Sequence, residues 1–305
     1  MFRVSVIGLG AMGASYAAKL HCAEGVEVRV IADGVRAERL RRDGVVVNGQ
    51  RHDFTIVSPD QDVEPADLMI VGVKYPDFAE ALGLIRRHIT DGTIILSLLN
   101  GINSEQELAA AYPQAHTLLS ITVGVDAVRT GQQIVYSSLG RMDFGEPENL
   151  APFSEPVRRV AEVFDAADLA WDVPTNMVKR LWWKFLVNTG VNQVTALLGA
   201  PYAVVQAPSS PARQLMIAAQ REVVAVAQAQ GIDLGEADID SWLEVLAKLG
   251  PNQYTSMAQD TLAHRPTEAE IFSGAIMRMG AELAIPVPVN TCLNQLLTSL
   301  PLVNR

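Results

Sequence analysis

The sequence predicts an α/β protein in which an N-terminal parallel-sheet domain is followed by an all-α C-terminal domain. In the first part of the chain, short strands alternate with helices and are apolar on both faces, which is typical of a parallel sheet covered by helices. After about residue 175 the strand pattern stops and only helical segments follow. We therefore predict a boundary between residues 1–175 and 176–305, and a chain of 305 residues suits two domains better than one.

The elements of the first domain follow from apolar runs and the turn residues that separate them. The predicted strands are Phe2–Ile7, Val26–Ile31, one or two within 45–59, Asp67–Val73, Thr93–Leu99 and shorter ones within 118–146. The predicted helices are Ala14–Cys22, Arg36–Arg42, Phe78–His88, one beginning at Ser104, and Phe153–Ala167.

The second domain is predicted to be helical because helical segments alternate with prolines and glycines that end them. The predicted helices are Leu181–Leu198, Ala212–Gln230, Ile239–Leu249, Thr255–His264, Glu268–Leu283 and Asn290–Leu300.

Composition and charge exclude several classes of function. The formal net charge is −10 and the pI is about 5.0, so the surface repels nucleic acid and anionic lipid. The chain has no secretory signal pattern and no apolar run long enough to span a membrane, and we expect a cytoplasmic protein. Its two cysteines, Cys22 and Cys292, suit a reducing compartment, and we expect both to be buried apolar residues. No metal site is predicted.

The segment GLGAMG is the first candidate site and comprises Gly8, Leu9, Gly10, Ala11, Met12 and Gly13. It matches G-x-G-x-x-G, follows a strand and opens a helix, which is the context of a Rossmann-type dinucleotide-binding domain. Such a turn brings the free N–H groups of a helix N-terminus to a pyrophosphate. A purely structural strand-to-helix turn is the alternative.

The end of the second strand bears on the choice between NAD and NADP. Asp33 follows the last glycine of the motif by 20 residues, where an acid usually binds the ribose hydroxyls of NAD. Arg36 follows three residues later and could instead bind a 2′-phosphate. The arginines after it (Arg39, Arg41 and Arg42) are interpreted as a solvated helix face. From these residues the choice stays open.

A polar stripe lies on the apolar segment LWWKFLVNTGVNQVTALLGA. Lys184, Asn188 and Asn192 recur every four residues, so they share one helix face. Amides and an ammonium that were buried without partners would be costly, so the stripe either binds a polar anionic ligand or belongs to a structural network. A positioned ammonium suits ketone reduction, because it can stabilise the oxyanion and then donate a proton.

A second polar cluster lies in TSMAQDTLAHRPTEAEIFSGA. Thr267 and Glu270 are predicted to form a capping box at the start of a helix, which leaves Glu268 without a capping role. Ser256 lies in a separate predicted helix. By pattern alone, neither Ser256 nor Glu268 would be singled out.

Several segments together resemble the ketopantoate reductase family, in the family's order and spacing over residues 4–295. They are GLGAMG, Lys74 after DLMIVGV, Asn100-Gly101 after TIILSLL, LWWKFLVNTGVNQVTAL, TSMAQD, RPTE and AIPVPVNT. The resemblance implies reduction of 2-dehydropantoate (ketopantoate) to (R)-pantoate, usually with NADPH, in pantothenate biosynthesis.

The same resemblance implies roles for individual residues. Lys184 would be the general acid, and Glu268 would bind the C4 hydroxyl of the substrate and help to position that ammonium. Lys74 would lie near the cofactor ribose, and Asn100 would orient the substrate and the nicotinamide. The groups implied to bind the substrate and its carboxylate are Asn188, Asn192 and Ser256.

The chain departs from the family pattern at three positions. Asp33 stands where the family commonly has an arginine, Asp77 where it often has glutamine, and Gln193 where it commonly has proline. The cofactor is therefore NADPH, as the family implies, or NADH, as Asp33 suggests. Two other functions stay open: reduction of a different branched 2-keto acid, and dinucleotide sensing without catalysis. The expected partner is a small 2-keto acid, and a homodimer is possible.

Overall fold

The structure is a computed structural model that describes residues 1–303. The chain divides into two compact units, one from Met1 to Val178 and one from Lys179 onward. The predicted assignment of dinucleotide binding to the first part and substrate binding to the second stays a prediction. Within the described residues, no helix is long and apolar enough to cross a membrane. The cytoplasmic location and the homodimer also stay predictions.

The first unit contains all the described strands. They are β1 (Phe2–Ile7), β2 (Val26–Ile31), β3 (Val45–Val47), β4 (Gln50–His52), β5 (Thr55–Val57), β6 (Leu68–Val71), β7 (Ile94–Ser97), β8 (His116–Thr117), β9 (Leu119–Val123), β10 (Val128–Thr130), β11 (Gln133–Val135), β12 (Arg141–Gly145) and β13 (Trp171–Asp172). Its helices are α1 (Ala11–His21), α2 (Gly34–Asp43), α3 (Phe78–Leu84), α4 (Ser104–Ala111) and α5 (Glu155–Ala166).

A six-stranded parallel sheet forms the centre of this unit, in the order β5-β2-β1-β6-β7-β8. Its central strands are buried on both faces, as the continuous apolar runs predict; every residue of β6 and β7 is buried. The chain order reverses between β1 and β6, which is the switch point where parallel α/β sheets bind ligands. The predicted Rossmann-type parallel sheet is confirmed.

Two smaller sheets accompany the parallel sheet. One has the order β10-β11-β3-β4, in which β11 lies parallel to β3 and antiparallel to β10. The other has the order β13-β12-β9. The shorter strands predicted within 118–146 therefore complete two separate sheets.

The described part of the second unit is helical, as predicted. Its helices are α6 (Met177–Leu198), which begins two residues before the unit boundary, α7 (Ala203–Gln206), α8 (Pro211–Ala229), α9 (Glu236–Leu246), α10 (Ser256–Leu262), α11 (Ser273–Glu282) and α12 (Pro288–Val303). A short 3₁₀ turn, Ala269–Ile271, lies between α10 and α11.

The expectation for the cysteines is wrong, because Cys22 and Cys292 are both exposed. Cys22 is the C-cap residue that follows α1, and Cys292 lies on α12. Composition alone does not identify which side of a helix a cysteine occupies, and its usual preference for the interior does not hold here.

Candidate functional site

Three glycines bring two backbone segments into direct contact at the switch point of the sheet. Gly8 follows β1 with φ +87°, and an added Cβ would lie 2.5 Å from the amide nitrogen of Val73. On Gly13, an added Cβ would lie 2.0 Å from the carbonyl oxygen of Gly8. On Gly72, directly after β6, it would lie 2.9 Å from that same oxygen. These three glycines are therefore required by the packing of the chain on itself.

Gly10 is different, because the protein itself leaves room for a side chain there. Its backbone, at φ −66° and ψ −170°, is accessible to any residue. An added Cβ would lie 3.6 Å from the carbonyl oxygen of Gly72, which is ordinary van der Waals contact. Packing of the protein thus does not require glycine at this position. A close approach by a bound pyrophosphate does require it.

The N-terminus of α1 also suits an anion. Gly10 is the N-cap and contributes no side-chain hydrogen bond, and the first turn of α1 carries no acidic residue. The first N–H groups of a helix and its dipole together attract negative charge. The glycine loop (Gly8–Gly13) therefore has a backbone geometry and a local charge that would favour a bound anion.

The other predicted cofactor residues lie at the same edge of the sheet. Asp33 follows β2, Lys74 follows β6 and Asn100 follows β7, and the carboxyl ends of parallel strands share one edge. Asp33 and Lys74 are exposed, and Asn100 is half-buried. Arg36 is exposed in the first turns of α2. Within the first unit, the structure thus brings together the ends of the strands on which the predicted cofactor residues lie.

Buried serines fix the loop that carries Asn100. The Ser97 and Ser104 hydroxyls share a hydrogen bond of 2.8 Å, and the Leu99 amide donates to Ser97 Oγ at 3.2 Å. Ser120 Oγ donates to the carbonyl of Ser97 at 2.7 Å. These contacts link the end of β7 to α4 and β9, so the backbone around Asn100 is held in place.

The predicted polar stripe lies on α6, in the second unit. Lys184 and Asn188 are half-buried, and Asn192 is only 5% exposed. Among residues 1–303, no side chain or backbone group hydrogen-bonds the amide of Asn188 or Asn192. A structural network would give these side-chain amides partners within the protein, so the two groups suit a bound polar ligand better.

A buried hydroxyl pair places α10 beside this stripe. Thr195, on α6, shares a hydrogen bond of 2.8 Å with Thr255, and both residues are buried. Thr255 is also the N-cap of α10, where its hydroxyl accepts from the amide of Ala258. Ser256 is therefore held at the start of α10, next to the part of α6 that carries Asn192. It is exposed.

An aromatic contact fixes the segment that carries Glu268. The Phe272 ring lies 6.3 Å from that of Phe185, and both are fully buried. Phe272 directly follows the 3₁₀ turn Ala269–Ile271, which begins after Glu268. Because Phe185 is the neighbour of Lys184 along α6, the 3₁₀ turn lies near the part of α6 that contains Lys184. Glu268 itself is half-buried.

The predicted capping box at Thr267 and Glu270 is wrong. Only the 3₁₀ turn follows Thr267, and α11 begins at Ser273. Glu270 instead forms an ion pair of 3.2 Å with Arg278. The contact of Phe272 with α6 breaks the helix that the sequence pattern would continue from Glu268.

Two residues at the glycine loop were missed by the sequence analysis. Gly72 had a usable signal, because an isolated glycine next to an apolar strand often marks a close backbone approach. Arg129, on β10, had none: it lies 120 positions from Leu9, yet its guanidinium donates a hydrogen bond to the Leu9 carbonyl. In the described part of the chain, no group of three or more acidic, histidine or cysteine side chains could hold a metal ion.

Comparison with known proteins places the chain in a family. Residues 4–149 match the family profile described as ketopantoate reductase PanE/ApbA, and residues 176–300 match that of its C-terminal part. A 2-dehydropantoate 2-reductase from Halobacterium salinarum is 31% identical over 297 residues, which cover 94% of this chain and 95% of the relative.

Solved structures agree with this result. The crystal structure of 2-dehydropantoate 2-reductase from Methylococcus capsulatus has a TM-score of 0.84 at 25% identity, covering 99% of this chain and 97% of that one. A D-mandelate dehydrogenase, solved with NADH and anilino(oxo)acetate, has the same fold, with a TM-score of 0.85 at 24% identity and 99% coverage of both chains. The chain therefore belongs to the ketopantoate reductase family of oxidoreductases.

Proposed function

We propose that this chain reduces 2-dehydropantoate to pantoate with hydride from a nicotinamide dinucleotide. The observation that carries the proposal is the stripe on α6. There the amides of Asn188 and Asn192 find no partner among residues 1–303, although Asn192 is almost buried. The stripe also carries Lys184, which matches the needs of a 2-keto acid: hydrogen-bond donors for a carboxylate and an acid for the ketone oxygen. Membership of the family supports the same reaction.

The dinucleotide would be held at the carboxyl edge of the parallel sheet. The glycine loop would bind the pyrophosphate through its backbone, because Gly10 keeps that approach open. Lys74 would lie near the ribose, and Asn100 would orient the nicotinamide. When bound, the nicotinamide supplies the hydride.

The proton would come from Lys184. As the carbonyl carbon gains two electrons and a hydrogen, negative charge develops on its oxygen, and an ammonium stabilises that charge. Lys184 Nζ would then transfer one proton to this oxygen, which gives the hydroxyl of the product and leaves a neutral amine that water reprotonates. Asn188, Asn192 and Ser256 would hold the carboxylate and the ketone in the reactive orientation.

Glu268 would select the substrate. Its half-buried carboxylate would accept a hydrogen bond from the C4 hydroxyl of ketopantoate, and a keto acid without that hydroxyl would not form this hydrogen bond. The alternative is reduction of another branched 2-keto acid. The D-mandelate dehydrogenase that shares the fold makes phenylglyoxylate a useful member of the test panel.

The test follows the absorbance of the reduced nicotinamide cofactor with each of three keto acids. They are ketopantoate, 3,3-dimethyl-2-oxobutanoate, which lacks only the hydroxyl, and phenylglyoxylate. We expect ketopantoate to have the highest kcat/KM, by at least about 10²-fold over the analogue without the hydroxyl. Glu268→Gln should reduce this preference. If the reduced nicotinamide were oxidised in the presence of phenylglyoxylate but not of ketopantoate, the proposed substrate would be refuted.

Lysine variants test the mechanism. Lys184→Ala should lower kcat by at least about 10²-fold while dinucleotide binding persists. The matched control is Lys179→Ala on the same helix, where the lysine forms an ion pair of 3.1 Å with Asp233. This control should keep near-normal turnover. Equal turnover of the two variants would show that Lys184 is not the acid.

A further inference from the structure

A group of buried polar side chains joins α6 to α8 and α12. It comprises Thr189 and Gln193 on α6, Gln220 on α8 and Asn290 on α12, and none of the four residues has exposed surface. Successive residues of a helix are about 100° apart around its axis, so Thr189 and Gln193 lie together on a face of α6 beside the polar stripe. We call these four residues the buried amide cluster.

Hydrogen bonds hold two members of the cluster in place. The side-chain nitrogen of Gln193 donates to the carbonyl of Thr189 at 2.7 Å and to the side-chain oxygen of Asn290 at 3.3 Å. Asn290 Nδ2 in turn donates to the carbonyl of Ala219 at 3.0 Å and to the carboxylate of Glu222 at 2.8 Å. The side-chain amides of Gln193 and Asn290 are therefore fixed in orientation.

Four polar atoms of the cluster have no hydrogen-bond partner in the part of the chain that the structure describes. They are Thr189 Oγ1, Gln193 Oε1, and Oε1 and Nε2 of Gln220. Burial of a polar group without a hydrogen bond costs free energy, and buried polar groups therefore nearly always have a partner. Where the protein supplies none, an ordered internal water commonly does.

The unpartnered atoms lie near one peptide unit of α6. An added Cβ on Gly190 would lie 2.6 Å from Cγ of Gln220 and 2.8 Å from its Nε2, so the Gln220 amide packs directly against the backbone of Gly190. The Gln193 amide lies against the carbonyl of Thr189, which belongs to the same peptide unit. Two side-chain amides from two helices thus meet at the peptide between Thr189 and Gly190.

A single water molecule suits this arrangement. It would accept a hydrogen bond from Gln220 Nε2 and donate to Gln193 Oε1 and Thr189 Oγ1, which makes about three bonds, the usual number for a buried water. An ion is a poorer occupant, because the four side chains of the cluster are neutral. The nearby carboxylate of Glu222 already accepts hydrogen bonds of 2.7–2.9 Å from the start of α12.

We propose that the buried amide cluster binds an internal water molecule that bridges α6 and α8. The site lies within the second unit and uses none of the residues of the polar stripe, so it does not depend on the proposed function. The water would link the helix that carries Lys184, Asn188 and Asn192 to α8 through hydrogen bonds, in addition to the apolar contacts of the core.

The test is a crystal structure of the full-length protein at a resolution that shows ordered water. We expect density for a water within about 2.7–3.2 Å of the Gln220 amide and of at least one of the two unpartnered oxygens on α6. Gln220→Met keeps the length of the side chain and removes the amide, so this density should be lost. The matched control is Gln214→Met, at an exposed position of the same helix, which should keep the density.

Thermal unfolding tests the same bridge in solution. Thr189→Val and Gln220→Met should each lower Tm by at least about 4 °C, and the double variant should lose less than the sum, because either change alone removes the bridge. Gln214→Met should stay within about 2 °C of the wild type. If Gln220→Met does not fold, the wild-type density and Thr189→Val decide the question.

Three results would overturn the proposal. In the first, the wild type has no density at the cluster, and the Gln220 amide pairs directly with Gln193 or Thr189 or faces an apolar gap. In the second, the density persists unchanged in Gln220→Met. In the third, the losses of Tm in the double variant are additive, which would show that the two side chains share no partner.

Discussion

Two glycines of one loop should respond in opposite ways to the same substitution. Gly13→Ala places a methyl group 2.0 Å from the carbonyl oxygen of Gly8, whereas Gly10→Ala places it 3.6 Å from the nearest protein atom. The first change disrupts the packing of α1 on the end of β1. The second changes only the surface that a ligand would contact. The pair therefore separates a folding role from a binding role within four residues.

The magnitudes follow from these distances. Non-bonded heavy atoms prefer about 3.5–4.0 Å, so the backbone near Gly13 must move by more than about 1 Å. Overpacking of this kind costs about 1–3 kcal/mol, and the cost should lie near the upper end because the obstacle is backbone. Better helix propensity of alanine returns about 1 kcal/mol, which leaves a net loss of about 2 kcal/mol. Gly10→Ala, at an N-cap, should cost less than about 1 kcal/mol.

The assay combines thermal unfolding with a dinucleotide titration. Gly13→Ala should lower Tm by about 4–8 °C, as about 2 kcal/mol does in a domain of this size. Gly10→Ala should keep Tm within about 3 °C of the wild type. It should also weaken NADPH binding by at least about 30-fold, equivalent to one or two lost hydrogen bonds to a charged group. Normal binding by Gly10→Ala, or a normal Tm for Gly13→Ala, would refute this division of roles.

Three further predictions concern other parts of the molecule. Asp33→Asn should increase the preference for NADPH over NADH, because it removes an acidic group at the end of β2 that would repel a 2′-phosphate; a titration that shows no change in the ratio of affinities would contradict this. Thr255→Val removes the cap of α10 and should raise KM for the keto acid through Ser256 without changing NADPH affinity, whereas Thr255→Ser should restore KM. For Asp67, burial alone would raise its pKa, but hydrogen bonds from Arg3 and nearby arginine charges lower it below the ordinary value of 3.8. The stability it contributes is present above about pH 4 and lost below it, so Asp67→Asn should weaken the acid dependence of urea unfolding, and an unchanged dependence would exclude this role.

Local sequence patterns were sufficient to predict those helices and strands that are determined by neighbouring residues. The strand before Gly8, the loop itself and the helix after it were predicted from neighbouring residues, and the structure confirms the strand and the helix. The all-helical second part was predicted from proline and glycine spacing and is confirmed for the described residues. The roles of Lys184, Asn188 and Asn192 stay predictions, although the unpartnered amides favour them.

Contacts between distant segments could not be predicted in this way. Arg129 reaches the glycine loop through pairing of β11 with β3, and nothing in the sequence around it indicates that pairing. The helix start at Thr267 was predicted wrongly because the contact between Phe272 and Phe185 outweighs a local capping pattern worth about 1 kcal/mol. In both cases tertiary packing decides the outcome, and a single sequence carries little information about it.

The small sheet that carries Arg129 has a practical consequence for redesign. The hairpin of β10 and β11 pairs with the strand β3, also packs against α1, and contributes no strand to the parallel sheet. Exchange of this hairpin would therefore alter the surface beside the glycine loop without changes to the central strands or to the polar stripe of α6. The surface beside the glycine loop and the polar stripe could then be varied in separate libraries, and the selected variants could be combined afterwards.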